Sequence, residues 1–88
     1  MANSRQATKR ARQGERRRQQ NAALRSKMRT FIKRVVKAIE SGDKTAAESA
    51  YREAVPYIDD GAGKNIIHAN KAARHKSRLN ARIRAMSS

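Results

Sequence analysis

The sequence contains no cysteine and no tryptophan, and it has only one proline and three aromatic residues. Without cysteine there is no disulfide, no thiolate metal ligand and no thiol nucleophile. No apolar run approaches the roughly 20 residues that a membrane-spanning helix needs, and the N-terminus lacks the apolar segment of a secretory signal. We therefore expect a protein of a reducing compartment that neither enters a membrane nor is secreted.

Acidic residues are scarce at both ends of the chain. Lys and Arg number 22 against seven Asp and Glu, which gives a formal net charge of +15. Residues 1–37 hold thirteen of the cations and Glu15 as their single acid, and residues 64–88 hold seven cations and no acid. The other six acids lie in residues 38–63. Two basic blocks around an acidic middle predict two surfaces that bind a polyanion, with nucleic acid as the first candidate.

Apolar residues recur at three- and four-residue spacing, which is the pattern of amphipathic helices. The signal is clearest in residues 22–40, where cations occupy the opposite face. Gly42 suits a left-handed helix stop, and Asp43 can cap the N-terminus of the next helix. The sequence therefore predicts a helix, a tight turn and a second helix that begins at Lys44.

The second helix contains the single proline. Pro56 lies on the polar side of the second apolar stripe, so we expect it to kink this helix rather than to end it. Residues 59–63, which are Asp-Asp-Gly-Ala-Gly, are predicted as a helix end or a loosened turn. A third helix is predicted from about Asn65 to Met86.

Residues 1–21 carry almost no hydrophobic surface, so they have nothing to pack against a protein core. Their good helix formers predict an arm that continues the first helix, frayed on its own and helical against an anionic surface. A helix over residues 5–40 would be about 54 Å long, which exceeds the diameter of roughly 30 Å of a compact chain of this size. The predicted fold is all-α: a three-helix bundle over residues 22–88 with a long, protruding basic N-terminal helix.

The cations of the arm and of the third helix are candidates for phosphate contacts because few acids neutralise them. Those of the arm are mostly arginine, which favours bidentate recognition of phosphate. Those of the third helix step by three and four residues and share one face beside the apolar line, whereas Lys76 at the edge of that line is expected to snorkel. The candidates are Arg5, Lys9, Arg10, Arg12, Arg16, Arg17 and Arg18 in the arm, and Lys71, Arg74, His75, Arg78 and Arg82 in the third helix.

The aromatic residues bear on how a nucleic acid would be bound. Phe31 and Tyr51 lie in apolar stripes and Tyr57 lies at the margin of one, so core packing is favoured over base stacking. Binding of splayed single strands depends on such stacking platforms. Folded RNA or duplex, recognised through its shape and phosphates, is therefore the better candidate ligand.

Metal and enzyme sites are not expected. His68 and His75 are seven residues apart, and no further ligand stands at four-residue spacing to complete a metal site. Asp59 and Asp60 are paired carboxylates at a Gly-rich turn, without a matched base or an apolar pocket. We predict no catalytic activity, no cofactor, no metal and no small-molecule substrate.

The acids of the second helix have two interpretations. They either pair with basic neighbours or form the face turned away from the polyanion, and the second interpretation is preferred.

Several segments resemble the bacterial small-subunit ribosomal protein S20 family, nearly throughout the chain and in the same order. The clearest is KNIIHANKAARHKSRL at residues 64–79, joined by the opening Met1-Ala2-Asn3-Ser4 and by Arg25-Ser26 and Arg29-Thr30. The resemblance implies a non-enzymatic three-helix bundle in the cytoplasmic ribosome. Such a protein binds 16S ribosomal RNA directly, acts early in small-subunit assembly and is a monomer within the ribosome. Contacts with other small-subunit components are left open.

Matching positions extend the list of rRNA-binding candidates. They are Asn3, Ser4, Lys9, Arg10, Asn21, Arg25, Ser26, Arg29, Thr30, Lys33, His68, Asn70, Lys71, Arg74, Lys76, Ser77 and Arg78. Asn65 and Ala69 depart from the family pattern, in which Gly and Lys are common. The alternative interpretation is a nucleoid-type basic DNA-binding protein, which would bind generic duplex DNA as tightly as ribosomal RNA.

Overall fold

The computed structural model describes the backbone of residues 2–87 and the side chains of residues 5–87. It consists of three helices, α1 (Ala2–Glu40), α2 (Lys44–Gly63) and α3 (Ala69–Arg84), and the described residues contain no strand. Helix α2 is the centre of the bundle, because α1 and α3 each pack mainly against it and touch one another only slightly. The predicted all-α three-helix bundle is confirmed.

Helix α1 is much longer than the bundle that it helps to form. Its 39 residues run without a break, a length of about 58 Å at 1.5 Å per residue. The molecule measures 67 × 21 × 14 Å. Every residue from 5 to 23 is exposed, and the buried core begins only at Met28. The N-terminal half of α1 therefore protrudes, as predicted.

The core is thin and is built around small residues of α2. Ile58 and Val35 are the largest side chains that are completely buried. Gly61 is also buried, and a Cβ added there would lie 3.4 Å from Met28 Sδ and 3.6 Å from Ile67 Cγ1. Because position 61 has no side chain, α1 and the chain segment after α2 approach the α2 backbone closely.

The turn between α1 and α2 follows the prediction. Gly42 has a φ of +82°, in the left-handed region, and its N–H donates to the carbonyl of Ile39 at 3.1 Å. Asp43 caps α2, because its Oδ1 accepts a hydrogen bond from the N–H of Ala46 at 3.0 Å. Local chemistry alone thus ends one helix and starts the next.

Substitution of this glycine tests the turn. We expect Gly42→Ala to lower the free energy of unfolding by about 1 kcal/mol, because a Cβ is disfavoured at positive φ. Gly63→Ala is the matched control, since Gly63 lies in helical backbone with no atom near its added Cβ. This control is expected to leave the stability unchanged or to raise it slightly. Urea unfolding followed by circular dichroism checks both, and equal effects would contradict a left-handed requirement at position 42.

The connection from α2 to α3 differs from the prediction. Helix α2 continues through Pro56 and through the Gly-rich stretch up to Gly63. The third helix begins at Ala69 rather than near residue 65 and ends at Arg84 rather than at residue 86. The cause lies at Asn65, whose φ of +58° reverses the chain.

The reversal turns two isoleucines into the core. The N–H groups of Ile66 and Ile67 both donate to the carbonyl of Gly61, at 2.9 and 3.3 Å, and both side chains are buried. The predicted bounds placed both residues in the third helix, but they belong to a tight turn that closes the end of α2.

The aromatic residues all pack against the core. The rings of Phe31 and Tyr57 stack with centroids 4.2 Å apart and planes 13° apart, and Arg34 Cζ lies 4.7 Å from the Phe31 centroid. The hydroxyl of Tyr51 donates to the carbonyl of Lys76 at 3.4 Å, which links α2 to α3. The packing role predicted for these rings is confirmed.

Candidate nucleic-acid interface

A groove of about 600 Å³ lies between α1 and α3. Its base is apolar and includes the buried Met28, Ile66 and Ile67. The polar residues that line it come from both helices and from the turn before α3; they are Arg25, Arg29, Lys33, His68, Lys71 and His75. The lining contains no carboxylate, so the groove is a cationic channel suited to a polyanion.

Helical spacing explains why these side chains converge. Arg25, Arg29 and Lys33 follow one another at four-residue intervals on α1, and Lys71 and His75 do so on α3, so each set shares one helix face. Like charges at this spacing destabilise a helix by about 0.2–0.5 kcal/mol per pair. An external anion would relieve this repulsion on the α1 wall, where Arg25, Arg29 and Lys33 are all cationic.

The imidazole of His75 is part-buried among cations. Burial lowers the pKa of His75 below its ordinary value, and the charges of Lys71, Arg78 and Arg74 lower it further. This environment favours the neutral form of the ring in the free protein. Its neighbours on its own helix oppose the addition of another positive charge.

His68 has a structural role in addition to its place in the groove. It is the N-cap of α3, and its Nδ1 accepts a hydrogen bond from the N–H of Asn70 at 3.0 Å. Histidine is not among the preferred capping residues, so the sequence pattern did not indicate this role.

The predicted cations of the arm are distributed around the protruding half of α1. Arg5, Lys9, Arg12 and Arg16 step by four, three and four residues and form one stripe, while Arg10, Arg17 and Arg18 point in other directions. All seven are exposed. Within the described part of the arm, Arg18 Nη1 lies 3.9 Å from Glu15 Oε2, with both side chains largely in solvent. Such a pair contributes about 0–1 kcal/mol, so the arm keeps its positive field.

The remaining predicted residues flank these two surfaces. Ser26 and Thr30 adjoin the groove on α1, and the Thr30 hydroxyl donates to the carbonyl of Ser26 at 2.9 Å. The exposed residues of this group are Asn21, Ser26, Thr30, Asn70, Arg74, Ser77, Arg78 and Arg82. The side chains of Asn3 and Ser4 lie outside the described residues. The structure thus places the predicted residues of α1 from Arg25 to Lys33 beside those of α3, whereas the residues of the arm lie apart from α3.

The charge of Lys76 is paired with an acid of another helix, whereas Arg18 pairs with an acid of its own helix. Lys76 Nζ lies 2.6 Å from Asp59 Oδ1, and this hydrogen bond raises the pKa of Lys76. The side chain is half-buried and reaches along the bundle to α2, as a snorkelling lysine does. Lys64 Nζ pairs similarly with Asp60 at 3.1 Å. Two acids of α2 thus pair with basic neighbours, and both of them are exposed, as are Glu48 and Glu53.

The apolar base of the groove was not anticipated from the sequence. Ile66 and Ile67 were assigned to the third helix, and their part in the groove follows from the turn at Asn65. The signal that could have identified this turn is the pair of adjacent β-branched residues directly after Gly63-Lys64-Asn65, since Gly and Asn favour turns.

The described residues also show no sign of a membrane span or of a metal site. No helix there has the length and apolar character to cross a bilayer. No group of three or more His, Asp or Glu side chains in the described part of the chain is arranged to hold a metal ion.

Comparison with known proteins gives consistent matches over the whole chain. A family model described as Ribosomal protein S20 matches residues 2–84. The small ribosomal subunit protein bS20 of Nitrosococcus oceani is 64% identical over 87 residues, which cover 99% of this chain and 100% of the relative. The protein of the same name from Acinetobacter baylyi is 62% identical over 88 residues, covering 100% and 99%. That from Azotobacter vinelandii is 63% identical over 86 residues, covering 98% and 94%.

These matches agree with the structure. The family model begins at the first residue of α1 and ends at the last residue of α3, so it includes both the arm and the groove. The chain therefore belongs to the ribosomal protein S20 family, which consists of structural proteins of the small ribosomal subunit and not of enzymes.

Proposed function

We propose that this chain binds 16S ribosomal RNA directly and, by doing so, supports assembly of the small ribosomal subunit. The observation that carries the proposal is the groove between α1 and α3, in which six cationic or imidazole side chains from two helices and a turn meet without a carboxylate. Family membership supports ribosomal RNA as the polyanion, because a protein of the small subunit is assembled with its RNA.

The mechanism is neutralisation of phosphate charge combined with recognition of shape. The arm of residues 1–21 and the groove are two basic surfaces at different positions along α1, and each would bind a separate RNA segment. The packed core of α1, α2 and α3 holds the groove walls at fixed spacing. The protein acts as a monomer that keeps two RNA segments in a defined relation, which is how a small protein favours one arrangement of a large RNA.

The alternative function, general binding of duplex DNA, makes a different prediction about specificity. We expect 16S rRNA to be bound on the order of a thousandfold more tightly than duplex DNA of similar length at the same salt concentration, as is typical of specific over non-specific complexes. Filter binding with both nucleic acids at several salt concentrations measures this ratio. Equal affinities would refute the ribosomal RNA proposal and favour the DNA-binding alternative.

A charge-matched pair of variants tests the groove itself. Replacing Arg29 and Lys71 with Gln removes two cations from opposite walls, and we expect about tenfold weaker RNA binding and a salt slope reduced by about 2. Replacing Lys44 and Arg52 with Gln removes the same charge from the acidic block, and this control is expected to change affinity far less. Equal losses from both variants would mean that net charge matters and the groove does not.

A further inference from the structure

We propose that the groove between α1 and α3 binds one phosphodiester segment of RNA with uptake of a proton, in which His68 donates a hydrogen bond from Nε2 to a phosphate oxygen and His75 becomes protonated. This proposal rests on the proposed function, since it takes RNA as the polyanion. The proton comes from solution, and no covalent bond is formed or broken.

The hydrogen bond at the start of α3 determines which ring nitrogen of His68 is available as a hydrogen-bond donor. Its Nδ1 accepts from the N–H of Asn70, so Nδ1 carries no proton in this arrangement. The proton of the neutral ring is then on Nε2, on the opposite side of the imidazole. Because His68 lines the groove, the capping bond leaves this N–H as a donor for an anion in the groove.

His75 is surrounded by positive charge from two helices. Lys71, Arg74 and Arg78 face it from α3. Arg25, Arg29 and Lys33 line the same groove from α1, His68 lines it from the preceding turn, and α2 contributes no residue to the lining. A bound phosphate would add the negative charge that this environment lacks. It would offset the cations that oppose protonation and would itself attract a proton to the ring.

The direction of the pH dependence follows from this change of environment. The pKa of His75 is lowered in the free protein, and a nearby phosphate raises it in the complex. At a pH between the two values, the complex holds more protons than the free protein, so affinity rises as the pH falls. At a pH above the pKa of the complex, His75 is neutral in both states, and at a pH below the pKa of the free protein it is protonated in both. In these two regions the affinity does not depend on His75.

The first experiment uses the unaltered chain and a 16S rRNA transcript at constant salt concentration. We expect the Kd to decrease about 3- to 10-fold between about pH 8 and about pH 6, because RNA binding is accompanied by uptake of a fraction of one proton. Titration calorimetry in two buffers of different ionisation enthalpy should show uptake of a fraction of one proton. Binding without proton uptake would overturn the proposal.

Variants assign the two roles. His75→Gln keeps a neutral polar side chain that cannot be protonated near neutral pH, and it is expected to remove most of the pH dependence. His68→Ser keeps an N-cap acceptor but removes the donor to the groove. We expect it to weaken RNA binding about tenfold and to retain the pH dependence. His68→Ala is the comparison for capping, because it should also lower the melting temperature.

The outcomes separate this inference from the proposed function. A chain that binds 16S rRNA no better than duplex DNA fails the proposed function, whatever the pH profile. Specific binding with a pH profile unchanged by His75→Gln overturns the proton-coupled role alone. If His68→Ser binds RNA as tightly as the unaltered chain does, the Nε2 donor is refuted. The calorimetric measurement on the unaltered chain decides the proton coupling even where a variant folds poorly.

Discussion

Deletion of residues 1–20 is expected to weaken binding of 16S rRNA by about a hundredfold or more at low salt, while the thermal unfolding of the remaining chain stays nearly unchanged. The deleted segment holds seven cations and one acid, and its described residues are all exposed. The buried core residues of the described part of the chain run from Met28 to Ile83. Loss of the arm therefore removes phosphate contacts and leaves the core intact.

Salt dependence is the more specific readout for the arm. Each cation that neutralises a phosphate of a duplex increases the magnitude of the slope of log K against log salt by at most about 0.9. We expect the slope of the shortened chain to be smaller by several units. A full-length control with Gln in place of the seven arm cations separates charge from chain length, and it should behave like the deletion. An unchanged slope in either variant would refute the arm as an RNA-binding surface, and a large drop in melting temperature would mean that the arm supports the fold.

Ile58→Ala is expected to lower the free energy of unfolding by about 2–5 kcal/mol, the cost of removing a large buried aliphatic side chain. Ile58 lies in the C-terminal half of α2 and is completely buried in the core. Small domains have total stabilities of about 5–15 kcal/mol, and short chains with thin cores lie near the lower end. This single change therefore removes a large share of the stability, which urea unfolding at 25 °C measures directly.

The matched control for this change is Ile39→Ala. Ile39 is only part-buried and lies in the last turn of α1, so its truncation should cost about 1 kcal/mol, since less apolar area returns to water. Equal losses from the two variants would contradict a core centred on α2. RNA affinity of the folded fraction should be unchanged in both, because neither side chain lines the groove.

The parts of the fold that local chemistry determines were predictable. The apolar stripe of residues 22–40, the left-handed Gly42 and the cap at Asp43 each act within a few residues of chain, and the structure reproduces all three. The family resemblance likewise led to the correct family and to a structural protein of the ribosome in the cytoplasm.

Features that depend on contacts distant in sequence were not predictable. The turn at Ile66 and Ile67 is local, but the burial of these two side chains beside Met28 of α1 depends on how the bundle packs. Residue types placed Arg25 and Lys71 on basic faces, but no local signal states that α1 and α3 bring them to one groove. The pairing of Lys76 with Asp59 spans 17 residues, so a cation assigned to RNA by resemblance proves to be partnered within the protein. Its contact with RNA stays a prediction.

Because α1 runs unbroken from Ala2 to Glu40, the orientation of the arm relative to the groove is fixed by helix geometry. Each residue of an α-helix advances about 1.5 Å and turns about 100°. One residue added to α1 between the arm and Arg25 would rotate the whole arm by about 100° relative to the groove. Seven added residues would nearly restore its orientation, but about 10 Å farther out. The angle and the separation at which this protein presents its two basic surfaces are therefore set together, by the number of residues between them.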